Sequence, residues 1–328
     1  MGEPSARDWR RLSNPTEASA LLHGGWRQGL LPDEAVPPNV VVADELRCHP
    51  GSRCTLRYIL ADGRTWIAKY YARPRPRLAA LYDMLSGPSG LTPAPIFAPR
   101  MIAYFPQARV LLQQSACGAP LTRLLHRGQA EAVSMAAYGL AALARAPLPL
   151  PVAYTLRHPL TRAHRWVERL SLAAPDLASA AARLLAALSD ACPAWPTPPR
   201  LIHGDLSAAH VFIAEREVEL VDWDDAHPGD PAEDAGRLLA SLLHLGVRGK
   251  APPQVIARAR TVFTATYARE AAEIAPRVPF YVALACLRKA SRLVARPSPQ
   301  RSPHSAALLT AGLSALREAR RPAAALLL

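Results

Sequence analysis

The stretch Leu201-Ile202-His203-Gly204-Asp205-Leu206-Ser207-Ala208-Ala209-His210-Val211-Phe212-Ile213 leads through the polar turn Ala214-Glu215-Arg216-Glu217 into Val218-Glu219-Leu220-Val221-Asp222-Trp223-Asp224. Two apolar runs, His210 to Ile213 and Val218 to Trp223, flank that turn, which is the pattern of a short hairpin. Asp205 stands in the loop before the hairpin, and Asp222 is expected to end its second strand. Such a layout brings two carboxylates, distant in sequence, to one end of a small sheet. If the strand continues, Asp224 shares a face with Asp222 by the two-residue period.

Two carboxylates so placed suit phosphoryl transfer. One accepts the proton of an attacking hydroxyl, and the other holds a metal that bridges the nucleotide phosphates. A polar side chain usually completes the metal shell, and His210 occupies that place. The run His203-Gly204-Asp205, followed by Asp222-Trp223-Asp224, resembles the catalytic and metal-binding segments of the aminoglycoside phosphotransferase and choline kinase family. The resemblance covers roughly residues 40 to 245. It implies an α+β, two-lobed, protein-kinase-like fold, with a small β-sheet lobe and a larger, mostly helical lobe. It also implies a small-molecule kinase that uses ATP or GTP with Mg²⁺, Mn²⁺ being the alternative. Asp205 would be the base and His203 the brace of its loop; Asp222, His210 and Asp224 would form the metal shell.

His210 departs from the family pattern, which has Asn there. Asn offers a carbonyl oxygen; imidazole offers only nitrogen, and Mg²⁺ prefers oxygen. Three arrangements are open. The imidazole binds metal directly and shifts preference toward Mn²⁺; or it holds a metal-bound water; or it turns away and leaves a nucleotide-binding pseudokinase. The second is favoured, because Mg²⁺ usually keeps several waters.

The chain has 328 residues, half of them hydrophobic, enough for two lobes with a core each. Three segments are expected: an N-terminal helical extension over 1–38, a nucleotide-binding lobe and hinge over 39–116, and a helical lobe over 117–328 with its catalytic loop at 201–224. No apolar run reaches the eighteen residues of a membrane span, and the N-terminus has no signal-peptide pattern. Five cysteines, odd in number and without a CxxC, read as buried free thiols in a reducing cytoplasm. A monomer or homodimer is expected. The net charge of +13 comes almost wholly from arginines scattered along the chain, with no nucleic-acid-binding signature beside them.

In the first 38 residues, Asn14-Pro15-Thr16-Glu17 caps a helix that Gly24-Gly25 should stop. Strands are expected at Val40–Val42, Cys54–Leu60 and Thr65–Tyr71, the last two joined by the hairpin signal Asp62-Gly63. Lys69 is one of only three lysines and lies in the apolar strand Trp66-Ile67-Ala68-Lys69-Tyr70. It is either the family's phosphate-binding lysine, which the downstream acidic stretch favours, or an edge-strand charge. Ile67 shares its face and would cover the adenine. Ser52 and Arg53, in a loop with one glycine, would meet phosphate. Asp83 is either the lysine's helix partner or a solvated residue. The strand Arg109–Gln113 resembles the family's hinge strand, so the adenine edge would pair with backbone near Gln113, Ser115 and Ala116.

Helices are expected over 131–146, 160–172 and 177–188, then from Pro231 to about Leu245, and over 253–275, 278–294 and 305–320. Asp234 either braces the catalytic loop, as in the family, or complements its own helix dipole. Arg157, Arg162, Arg165, Arg248, Arg277 and Arg288 fall on the expected acceptor side. A neutral or anionic sugar-like acceptor therefore fits better than the polycations and choline that the family name suggests.

Overall fold

The computed structural model describes residues 8–86, 94–146, 158–194, 199–295 and 298–319. The chain divides into two compact units, Met1–Thr92 with Phe97–Cys117, and Pro93–Ile96 with Gly118–Leu328.

The first unit begins with α1 (Asp8–Leu12) and α2 (Pro15–Arg27). Asn14 Oδ1 caps α2 by accepting from the N–H groups of Thr16 and Glu17 at 2.9 and 3.3 Å. The expected stop at Gly24-Gly25 is not observed. The helix passes through both glycines, and Gly25 packs so closely on the Phe105 ring that a side chain there would collide with it. Then follow β1 (Val40–His49), β2 (Arg53–Leu60), β3 (Thr65–Tyr71) and α3 (Pro76–Ser86); after β4 (Ile96–Phe97), whose Ile96 belongs to the second unit, come β5 (Met101–Phe105) and β6 (Val110–Gln114). An antiparallel sheet runs in the order β1-β2-β3-β6-β5.

Strand alternation divides this sheet into two faces. Leu56, Tyr58, Trp66, Ala68, Tyr70, Val110 and Leu112 join Ala18 and Leu22 of α2 in one core. Fully buried leucines such as Leu22, Leu56 and Leu112 contribute about 1.5–3 kcal/mol each. Lys69 and Ile67 stand on the other face, opposite Leu111 and Gln113 of β6.

The cysteine expectation needs correction. Cys48 and Cys54 face each other across β1 and β2 and are joined as a disulfide. The turn between them makes close neighbours of two residues whose spacing in sequence is not that of a CxxC pair. Cys117, Cys192 and Cys286 are in no disulfide, and of these only Cys286 is buried.

The second unit continues with β7 (Ala119–Pro120), α4 (Leu121–His126), α5 (Val133–Arg145), α6 (Ala163–Ala173), α7 (Ala178–Asp190), β8 (Arg200–Ile202), β9 (Val211–Ala214), β10 (Glu217–Leu220) and β11 (His227–Gly229). The long helices α8 (Ala232–Val247), α9 (Pro253–Glu270), α10 (Val278–Val294) and α11 (Arg301–Ala319) complete it. Here α10, apolar through most of its length, packs against α6, α7, α8 and α11. Two small sheets hold the site segments, one in the order β4-β10-β9-β7 and the other pairing β8 with β11. Arg157, the prolines at 147, 149 and 151, and residues 195–198 of the second proline cluster lie outside the described residues. Among the described residues no helix is long and apolar enough to cross a membrane.

The hairpin is shorter than its apolar pattern suggests. Residues 208–210 form a 3₁₀ turn, so His210 precedes β9. Strand β10 ends at Leu220, and Asp222 has a left-handed backbone with φ +69°. A second 3₁₀ turn covers Trp223–Asp225. The strand therefore does not carry Asp222 and Asp224 on a shared face. A pleat cannot continue through a left-handed residue.

Candidate active site

The catalytic loop leaves β8 at Ile202 and is held from beneath by one carboxylate. Asp234, in the first turn of α8, accepts hydrogen bonds from the backbone N–H groups of His203 (2.6 Å) and Gly204 (3.0 Å). Of the two roles open to Asp234, the structure shows the brace. Burial pushes its carboxyl up to about 6, against the pull of those two N–H groups. Gly204 has φ +76°, and a Cβ there would run into the Asp225 carbonyl, so the tight approach requires glycine. The Ser241 hydroxyl fixes the far end of the loop by accepting from the Ala208 N–H at 3.0 Å.

His203 is fully buried and ties the two acidic segments together. Its Nδ1 accepts from the Asp205 N–H at 3.4 Å, and its Nε2 lies 2.8 Å from the Val221 carbonyl, next to Asp222. That pattern selects the Nε2–H tautomer, donating to Val221. The ring stacks on His210, with centroids 5.6 Å apart, and leans on Trp223 at 5.1 Å.

Asp205 is set among arginines. Its Oδ1 accepts from Arg288 at 2.6 Å, and Arg237 stands 3.6 Å from the same oxygen. Burial alone would raise its carboxyl, but Arg288, Arg237 and Arg292 outweigh it and hold the group below its ordinary value. No described residue hydrogen-bonds Oδ2. One carboxylate oxygen is thus anchored, and the other has no hydrogen-bond donor among the described residues.

His210 Nε2 lies 3.9 Å from Asp222 Oδ2, too far for a hydrogen bond but within reach of a bridging water. Its Nδ1 is buried with no hydrogen-bond partner. Burial, with His203 beside it, pulls the imidazole down to about 4, so the ring is neutral near pH 7 and holds a lone pair. Among the described residues no three His, Cys, Asp or Glu side chains converge into a cation cage. A hard divalent ion held by one or two carboxylates and phosphate oxygens needs none, so Asp222 with His210 beside it fits such an ion. Asp224 stands half-buried in the following 3₁₀ turn.

The first unit carries the remaining sequence-predicted residues. Lys69 is only 6% exposed; its Nζ donates to the Tyr82 hydroxyl at 3.3 Å and lies 5.7 Å from the centroid of that ring. Asp83, the expected partner on α3, is exposed, and its neighbour Tyr82 turns inward instead. Gln113 is buried opposite Ile67, and its Oε1 has no hydrogen-bond partner. An unpaired acceptor beside Ile67 and Lys69 suits a ligand with an amino group. Ser115 gives its N–H to the Thr65 carbonyl at 3.2 Å, and no described residue bonds the Ala116 N–H. Ser52 is exposed in the β1–β2 turn, and Arg53 begins β2 half-buried.

The acceptor-side arginines do not act as a group. Arg162, Arg165 and Arg248 are exposed, and Arg277 holds the buried Asp230 through two hydrogen bonds of 2.7 and 3.0 Å. Among the described ones, only Arg288 meets the site. Arg237 and Lys289, which sequence reasoning missed, stand with it. Arg237 was traceable: it lies four residues after Glu233, on the helix face that Asp234 also serves.

With these features, the antiparallel sheet unit and the mostly helical unit that carries the loop define a kinase-like fold. The phosphotransferase enzyme family model matches residues 52–272, more than half of the chain, and the chain belongs to that family. It is a small-molecule kinase, a phosphotransferase with a hydroxyl group as acceptor. Among solved structures it is similar to choline kinase from Cryptosporidium parvum Iowa II, with TM-score 0.63, 11% identity, and coverage of 92% of this chain and 96% of that one. A thermostable mutant of the aminoglycoside phosphotransferase APH(4)-Ia, in ternary complex with ADP and hygromycin B, gives TM-score 0.60 at 14% identity over 87% and 96%. Plasmodium vivax ethanolamine kinase gives 0.55 at 12% identity over 84% of each chain. By sequence, no curated protein matches at a significant level.

Proposed function

We propose that this protein transfers the γ-phosphoryl group of ATP or GTP to a hydroxyl of a neutral or anionic, sugar-like small molecule rather than a polycation. The observation that carries this reading is the frame in which His203 links the Asp205 amide to the carbonyl beside Asp222, with Asp234 beneath. Asp205 orients the acceptor hydroxyl and takes its proton on Oδ2. Its lowered basicity is no obstacle, because phosphoryl transfer depends more on positioning and charge stabilisation than on proton abstraction. Asp222 would hold the metal ion, with His210 placed to hold a water beside it, and Asp224 adds charge to the same segment. A bound Mg²⁺ or Mn²⁺ neutralises phosphate charge. Lys69 holds nucleotide phosphates, with Ser52 and Arg53 assisting. Ile67, Gln113, Ser115 and Ala116 receive the base. Such a donor and a metabolite acceptor suit a cytoplasmic monomer or homodimer.

The test is a metabolite-pool screen with labelled ATP, read by mass spectrometry, with Mg²⁺ and Mn²⁺, on the parent and on His210→Asn. Both proteins are expected to work with Mg²⁺, the variant equally well or better. A parent inactive with every metal and rescued only by Asn would favour the second reading, a nucleotide-binding pseudokinase. His210 at the Asn position is the observation behind that alternative.

A further inference from the structure

The Asp205 loop faces more positive charge than its own carboxylates neutralise. Arg237 is shared between Glu233, at 2.6 Å, and Asp205. Arg288 is bound to Asp205. Lys289, the next residue on α10, is half-buried, and no described residue gives it a hydrogen bond or ion pair. Arg292 lies one helical turn after Arg288, close enough to act on Asp205. Asp234, beneath the loop, also acts on Arg237, so three carboxylates meet four cations.

The packing of α8 on α10 builds this cluster. Gly236 lets the helices touch, since a Cβ there would strike the Tyr281 backbone, and Arg237 follows it directly. The cations resist their own burial. Burial, with Arg237 nearby, pulls Arg288 down to about 10, and burial pulls Lys289 down to about 8. A half-buried surplus of cations with free donors is the arrangement that binds an oxyanion.

We infer that Arg237, Arg288 and Lys289 seat an oxyanion of the acceptor, a carboxylate or phosphate ester carried on a small hydroxylated molecule, and thereby present its hydroxyl to Asp205 Oδ2. This deepens the phosphotransferase reading and rests on it for the word acceptor. Arg288 and Arg237 already hold Oδ1, so an anion on the remaining donors of Arg288, with the charge of Lys289 acting on the same region, lies within one small molecule's length of the free oxygen. A cationic acceptor would meet repulsion in the same place.

Two measurements on the full chain test this separately from the kinase reading. The first is calorimetric titration of inorganic phosphate, with nucleotide sites saturated by a non-hydrolysable ATP analogue, into the parent, Lys289→Met and Arg288→Lys. Lys289 has no ion pair to lose, so its variant keeps the fold. Phosphate should bind the parent and weaken tenfold or more in both variants; binding that neither substitution changes overturns the inference. The second compares kcat/KM for matched acceptors: glycerol, glycerate, glycerol 3-phosphate and choline. At least one anionic member should exceed both glycerol and choline tenfold, with the advantage lost in Lys289→Met. Preference for glycerol or choline overturns the inference and leaves the kinase standing. No turnover with any acceptor pool, beside intact phosphate binding at the cluster, counts instead against the phosphotransferase reading.

Discussion

Lys69 is a buried charged group and Asp205 a half-buried one, and their surroundings are built in opposite ways. Lys69 is placed by strand register. Its neighbours Thr55 and Leu111 are cross-strand partners, and the aromatic ring of Tyr82 covers it. Asp205 is placed by a loop whose supports come from far along the chain: Asp234 on α8, and Arg288 on α10, 83 residues away. The lysine lies on one sheet face against the hydroxyl and ring of Tyr82; the carboxylate sits in a surplus of cations. A sheet can set one charge by alternation alone, whereas a loop needs hydrogen bonds from several helices.

Removing the loop's support should have the largest effect. Asp234→Ala leaves the buried N–H groups of His203 and Gly204 without acceptors, at about 1–3 kcal/mol each. Denaturant melts should show a loss of a few kcal/mol, with turnover falling further than stability explains. An equally stable variant would mean that the loop holds itself. Next comes Lys69→Met, which removes one charge and leaves the strand register intact. Loss of a preorganised electrostatic contact lowers rate by about 10²–10³-fold. The loss should appear with the nucleotide as varied substrate and leave acceptor KM alone; a change in acceptor KM alone would break the distinction.

Two smaller effects are read as pH profiles. Arg288, Arg237 and Arg292 hold Asp205 below its ordinary value, so the pairing stabilises the fold above the unfolded carboxylate range and is lost as pH falls through the folded one. Arg288→Met should therefore move the acid limb of kcat/KM to higher pH, and an unmoved limb would assign it to another group. Lys289, facing Asp205, Arg237, Arg288 and Cys286, is pulled down to about 8. The native protein then binds fewer protons than the unfolded chain between about 8 and the ordinary lysine value, so stability rises with pH there. Phosphate affinity should instead fall as pH passes 8 in the parent and stay flat in Lys289→Met.

Sequence pattern carried the fold because alternation and motif order are local. Asp62-Gly63, the apolar β2 and β3, and His203-Gly204-Asp205 before Asp222-Trp223-Asp224 each need only a few residues to be read. Elements failed where packing overrode local preference. Gly25 reads as a stop and serves as a contact for Phe105. Asp222 reads as a strand end and is left-handed instead, which also removed the reason for placing Asp224 beside it. Cys48 and Cys54 pair only because the turn between them closes a hairpin. Arg237 and Lys289 were missed because their importance lies in which helix packs on which, and no spacing within either helix records that.

The most direct measurement is turnover of Asp205→Asn, with nucleotide affinity determined in parallel. The substitution keeps shape and hydrogen-bonding reach but removes the proton acceptor and the charge that Arg288 holds. Loss of a general base lowers rate by about 10²–10⁴-fold. The account predicts a fall in that range with nucleotide affinity little changed; near-parent turnover would contradict it.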